Sequence, residues 1–192
     1  MMVLTMAQLD AYYAACAPHV GRSTIAAIVQ VESGGAPWAI HDNTSKRRWH
    51  ARNYREAVAI GNALVRLGHS VDMGLAQVNS RNLARVRMSV AEVFEPCRNL
   101  IAAATILEDC YAPAATKYGA AQRALVHALG CYNTGSLYAG RRYVARVLEA
   151  AEAPRGVLNL ARVEFGTSTL RARISSWPLV TWKANTDWRV RW

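Results

Sequence analysis

Apolar residues recur at helical spacing along most of this chain. Leu9, Tyr12, Tyr13 and Cys16 share one face of a segment that begins with Thr5 and Gln8 at capping-box spacing and meets Pro18 at its end. That pattern predicts a helix over 6–16. Ile25, Ile28 and Val29 set the same period in a second helix over 23–33, and Glu32 takes the next position of the stripe. Gly34 and Gly35 end it. The segment 41–55 is polar and basic, without an apolar period, and reads as a long loop. Asn53 and Glu56 open a third helix that carries Val58 and Leu64 and stops at Gly68. Residues 71–81, rich in Gly, Asp, Asn and Ser, read as a turn entering a short helix near 80–87 rather than as a strand.

Ser89 and Glu92 repeat the capping-box spacing for a helix of one or two turns that Pro96 stops. From Asn99 onward, Leu100, Ala103, Ala104 and Leu107 describe a long helix with a face of small residues, suited to close packing in mid-domain. Residues 120–129 predict another helix, 130–140 a loop, and 142–151 the last helix of the core, with Tyr143, Val144, Val147 and Leu148 on one side. Beyond Pro154 the helical period fades. The segment 154–192 holds seven basic and two acidic side chains and four of the six tryptophans, Trp177, Trp182, Trp188 and Trp192. We read 1–153 as one helical domain and 154–192 as a basic, Trp-rich appendage with some extended character.

Composition narrows the class. With 192 residues, 52% apolar and 19% charged, the chain is globular and long enough to bury a real core. Its formal charge of +10 calls for an anionic partner: nucleic acid, an anionic membrane surface, or an acidic or cell-wall polymer. No apolar run approaches the roughly 18 residues that span a bilayer, and Met1 to Gln8 lack the features of a secretory signal. Cys16, Cys97, Cys110 and Cys131 allow three full pairings. If Cys97 and Cys110 lie on one helix they are ~20 Å apart and cannot pair, which leaves Cys16 to join one of them. Disulfides favour an oxidising compartment; four reduced, buried thiols are the alternative.

The candidate chemistry starts at Glu32. An acid at the end of an apolar stripe and at the negative pole of a helix has its pKa pushed upward, toward the value of a general acid. The plain alternative is a rim residue reaching into solvent. Two further segments put amides and hydroxyls beside small residues: Gly74-Leu75-Ala76-Gln77-Val78-Asn79 and Tyr132-Asn133-Thr134-Gly135. Each alone is weak, since such loops are common turns.

In order, however, Glu32-Ser33-Gly34-Gly35 and these two segments resemble the lysozyme-like lytic transglycosylases. Ala76 stands where Met is common in that family, and Cys131 and Thr134 replace two alanines. The likeness is closer to the branch associated with type IV secretion and conjugation. It is carried by Cys16-Ala17-Pro18, by Pro37 with Ala39-Ile40, by an insertion before Gly74, by Pro96-Cys97-Arg98-Asn99-Leu100, and by Leu107 to Tyr111. Tyr143-Val144 with Val147 closes the similarity, which covers roughly 5–150.

The resemblance implies a mainly α, goose-type lysozyme-like fold with a sugar-binding cleft, acting on peptidoglycan glycan strands in the periplasm beside a secretion or conjugation machinery. Glu32 matches the single catalytic acid, which would act again as base while a 1,6-anhydromuramic end forms. Tyr132 would hydrogen-bond Glu32 or the adjoining sugar, and Asn133 would shape the cleft wall. Gln77 and Asn79 would line saccharide subsites, with Gly74 letting the backbone approach. Ser33 would touch ligand or close the helix end. No role falls to the insertion, where His41 and Asn43 are guesses.

The three motifs contain no second acid of the kind that glycoside hydrolysis uses, and Asp42 and Asp72 sit in polar segments suited to capping. The five histidines show no metal-ligand spacing with the cysteines, so no metal or cofactor is expected. Rival readings are a hydrolytic lysozyme or phage muralytic enzyme, a non-catalytic assembly protein, and nucleic-acid binding by the tail. Against the last, no recognised nucleic-acid module surrounds those tryptophans.

Overall fold

The computed structural model describes residues 2–119 and 122–152. The expected appendage, 154–192, lies outside the described residues. Helix α1, Met6–Cys16, begins with the anticipated capping box: Gln8 N donates to Thr5 Oγ1 at 3.3 Å and Thr5 N to Gln8 Oε1 at 2.9 Å. Helix α2, Arg22–Glu32, buries Ile25, Ala27, Ile28 and Val29. Two strands follow, β1 at Ala39–Asp42 and β2 at Arg47–His50, and then helix α3, Tyr54–Arg66, capped by Asn53. Strands β3, Val71–Met73, and β4, Val78–Asn79, lead through a 3-10 turn, Ser80–Asn82, into α4, Leu83–Val86. Helices α5, Val90–Val93, α6, Pro96–Tyr118, α7, Gln122–Thr134, and α8, Arg141–Glu152, complete the domain.

The sheet corrects the sequence reading in two places. Part of the expected loop at 41–55 is the β1–β2 hairpin, and the expected turn at 71–81 holds β3 and β4. Together they form an antiparallel sheet in the order β2-β1-β3-β4, with Ile40 opposite Trp49 on one side and Met73 on the other. Strands of two to four residues carry too few alternations to show a period of two, and His41, Asp42, Arg47 and Arg48 are not strand-forming types. Long-range pairing, with Ile40 and Met73 both buried beneath the sheet, holds them.

Two helix boundaries also move. Pro96 opens α6 instead of merely closing α5, because proline at a first helical position gives up a donor that has no partner there anyway. Helix α7 runs on to Thr134, so Tyr132 and Asn133 lie on its last turn and not in a loop.

The long α6 crosses the middle of the core. Its buried Ala102, Ala103, Ala104 and Ala114 let neighbouring helices approach closely, α7 most extensively and α1 on another side, while α8 packs on α2. Both Cys97 and Cys110 lie on α6 and do not pair. The bridges are Cys16–Cys97, joining α1 to the start of α6, and Cys110–Cys131, joining α6 to the end of α7. With partners 81 and 21 positions apart in sequence, loop closure alone predicts about 3 to 5 kcal/mol of stabilisation from each.

One buried polar side chain organises the approach to the cleft. Asn99, on the first turns of α6 and 1% exposed, donates from Nδ2 to Met73 O at 2.9 Å and Val93 O at 2.7 Å, and its Oδ1 accepts from Ala76 N at 2.8 Å. The chain around Gly74 wraps this amide so tightly that a Cβ there would lie 2.2 Å from Asn99 Nδ2, and the φ of +79° is itself left-handed. Glycine is therefore required at 74 by packing as well as by backbone conformation.

Candidate active site

A cleft of about 690 Å³ opens between the sheet, the C-terminal ends of α2 and α7, and the middle of α6 and α8. Glu32 stands on it at the last residue of α2, partly buried. Ser33 closes the helix: its Oγ donates to Val29 O at 3.3 Å and accepts from Gly35 N at 3.2 Å, and the chain turns away through Gly34 and Gly35 at positive φ. Of the two sequence expectations for Ser33, these bonds match the helix-end one.

Burial raises the Glu32 carboxyl from 4.5 to about 7. The negative charge of Asp72 adds to the rise, while Tyr143, Arg146 and Arg48 oppose it. At neutral pH a large fraction of Glu32 thus holds its proton, the state from which a carboxyl donates.

The segment 74–79 divides in two. Gly74 and Ala76 are buried under the cleft floor, and Gly74 faces Asn99. The contact that requires glycine here is the one with Asn99. Gln77 and Asn79 do line the cleft. Gln77 sits at φ +50° and its amide donates to Ala39 O at 3.1 Å and Gly74 O at 3.0 Å, which ties β1 to the turn. Its Oε1 accepts no hydrogen bond among the described residues.

Tyr132 and Asn133 line the opposite wall from α7. The Tyr132 hydroxyl, expected on Glu32 or sugar, instead donates to Ala76 O at 2.7 Å, bridging α7 to the 74–79 turn. Burial first, then the Glu32 and Asp72 charges, push its pKa well up, so it stays a neutral phenol. The tyrosine that addresses Glu32 is Tyr143 of α8, whose ring stacks on Tyr132 at 6.4 Å. Its buried hydroxyl faces the carboxyl without the geometry of a formed hydrogen bond, and no other acceptor takes it among the described residues. The sequence places Tyr143 on an apolar stripe, which reads as core; the one available signal was a hydroxyl on a helix face otherwise made of Val and Leu.

Asp72 also reaches the cleft, which its reading as a capping residue did not anticipate. Asn79 Nδ2 donates to its Oδ1 and Asn43 Nδ2 to its Oδ2, both at 2.6 Å, and His41 Nδ1 lies 3.6 Å away. Asp42 is different. Buried at 1% exposure, it accepts from Thr44 N, Ser45 N and Ser45 Oγ and meets His69 Nδ1 at 2.8 Å. Burial would raise its pKa, but these bonds outweigh it and hold the carboxyl far below the usual range. It is a hairpin anchor, away from the cleft. No group of three or more His, Cys, Asp or Glu among the described residues is arranged to hold a metal ion.

Comparison with known proteins fits this geometry. The transglycosylase SLT domain family matches residues 11–150. The chain belongs to that family. SLT members have the lysozyme-like helical fold, and this chain has it too. Among curated relatives, "Protein virB1" of Rhizobium radiobacter is 38% identical over 151 residues, which cover 78% of this chain and 63% of that protein. "Type IV secretion system protein virB1" of Brucella abortus biovar 1 is 38% identical over 145 residues, covering 71% and 61%. The chain therefore spans a little under two thirds of the length of these relatives. No solved structure matches it. No helix among the described residues of this SLT chain is long and apolar enough to cross a membrane.

The Tyr143 contact makes a prediction. Because Tyr143 lowers the Glu32 pKa, Tyr143→Phe should raise it, and the alkaline limb of any Glu32-dependent activity should move to higher pH. A pH–rate profile of the two proteins measures this; a limb that stays put or moves down would show that Tyr143 does not act on Glu32.

Proposed function

We propose that this chain is a lytic transglycosylase that cleaves the β-1,4 bond between N-acetylmuramic acid and N-acetylglucosamine in peptidoglycan. The observation that carries this reading is a protonatable carboxyl, raised to about 7, on the floor of a polar cleft in an SLT domain. Glu32 would donate its proton to the glycosidic oxygen as the bond to the anomeric carbon breaks, and the N-acetylglucosamine leaves as an alcohol. The Glu32 carboxylate then takes the proton of the muramic 6-hydroxyl while that oxygen closes on the anomeric carbon. The product is a 1,6-anhydromuramic end, no water is consumed, and Glu32 is again protonated.

Gln77, Asn79 and Asn133 would contact the glycan from the two walls, with Tyr132 bracing them. Ser33 and Gly74 would serve from beneath, one ending α2 and one admitting Asn99. Two disulfides agree with an oxidising compartment, and the names of the relatives suggest a wall-opening role beside a type IV secretion apparatus in the periplasm.

A second reading has one observation in its favour. Asp72 lies close enough to Glu32 to raise its pKa, and paired carboxylates serve ordinary glycoside hydrolysis. Against it, both Asp72 oxygens already accept short hydrogen bonds from asparagines, which weakens the carboxylate as base or nucleophile. Mass spectrometry of muropeptides released from purified peptidoglycan decides. We expect anhydro products, one water lighter than hydrolytic ones. Reducing ends would mean a lysozyme, and no release would refute muralytic function.

A further inference from the structure

The cleft is more cationic than a neutral glycan requires. Arg48 of β2, Arg81 of the 3-10 turn, Arg85 of α4 and Arg146 of α8 all line it. Arg85 is neutralised by Asp109, to which its Nε donates at 2.8 Å. The other three form no ion pair among the described residues. Arg48 and Arg146 lie near enough to Glu32 to act on its titration from two sides of the cleft, one from the sheet and one from a helix. Arg146 also sits 5.8 Å over the Tyr143 ring, which holds it beside the reacting carboxyl. The acids facing them are Glu32, protonated to a large extent at neutral pH, and Asp72, already held by two asparagines. Unpaired guanidinium groups converging on a cleft are a carboxylate-binding arrangement.

In a peptide-bearing strand the sugars carry no charge, because the muramic lactyl carboxyl is amide-linked to the stem peptide, whereas the stem peptide itself ends in a carboxylate. Resting on the function proposed above, we propose that Arg48, Arg81 and Arg146 bind stem-peptide carboxylates, so that the cleft selects glycan strands by their peptides. Arg48 comes from the insertion hairpin, which gives that hairpin a task in substrate choice. Asn43, from the same hairpin, occupies Asp72 Oδ2 as a hydrogen-bond acceptor, which leaves that oxygen less free to take a bidentate bond from the arginines.

The test uses uncross-linked peptidoglycan strands, native or with their stem carboxylates converted to amides by carbodiimide and ammonia. An unrelated muralytic enzyme confirms that the amidated glycan remains cleavable. Rates are taken with the full chain at a pH where Glu32 stays protonated in every variant. We expect the wild type to favour native strands by about fivefold per carboxylate engaged, and added salt to erase the preference. In Arg48→Gln with Arg81→Gln the native-to-amidated rate ratio should fall toward one, whatever happens to the absolute rates. Equal wild-type rates on both substrates would overturn this proposal and leave the transglycosylase reading standing. A preference unchanged in the double variant would overturn the assignment to these arginines. Failure to cleave either substrate would overturn both readings together.

Discussion

Glu32→Gln should reduce peptidoglycan cleavage by about a thousandfold or more, the usual worth of a positioned general acid and base, while leaving the fold intact. Gln keeps the shape of the side chain and cannot transfer the proton. The variant should also be more stable than the wild type in alkaline buffer. The folded-state pKa of Glu32, about 7, lies above its ordinary 4.5. Its contribution to stability is therefore fully present below 4.5 and is lost as pH rises through about 7. Above that pH the wild type keeps a partly buried charge, at a cost of at most about 3 kcal/mol, that Gln lacks. Activity should fall over the same range, because the proton donor is the protonated form. Thermal melts and muropeptide release, each followed from acid to alkaline pH, measure both effects. Cleavage by the Gln variant at near wild-type rates would remove Glu32 from the mechanism.

Asn99→Ala should be the most damaging single change outside the cleft. It strands two buried carbonyls, Met73 O and Val93 O, and one buried amide, Ala76 N, that the asparagine now serves. At about 1 to 3 kcal/mol for each unsatisfied group, with some relief from entering water, the loss should reach about 3 to 5 kcal/mol. A domain of this size would then melt lower by about 10 °C. Because the same amide shapes the 74–77 turn, KM for glycan should rise as the Gln77 wall loosens. Asn99→Asp should fare no better, since a carboxylate cannot donate to the two carbonyls. A melt within a degree or two of wild type would show that water replaces the amide without penalty.

The helices were legible because their signals are local. Thr5 with Gln8, Asn53 with Glu56, and Ser89 with Glu92 are capping pairs three residues apart, and the stripes on α2, α6 and α8 repeat within a few turns. The exclusion of a Cys97–Cys110 bridge followed from helix rise alone. Glu32, Gln77, Asn79, Tyr132 and Asn133 could be singled out as polar groups beside small residues, and they do share one cleft. The strands were not legible: β4 is two residues long, and the strand it pairs with, β3, is only three.

What the sequence by itself determined is the helical framework, the family, and the placement of an acid where an apolar stripe ends. Its periodicities span a few residues, and so do the interactions that create them. What only the tertiary structure decided is the company each side chain keeps. It set Tyr143, Arg146 and Asp72 around Glu32, and gave the hydroxyl of nearby Tyr132 to Ala76 O. It drew Asn43 and Arg48 into the cleft from a hairpin that looked like a loop. It also packed Gly74 against Asn99. A pKa, a cleft charge and a close backbone approach each depend on groups far apart in sequence, such as Glu32 with Arg48 and Arg146, and Gly74 with Asn99. No local pattern encodes that distance; only the packing of α2, α6, α7 and α8 around the sheet does.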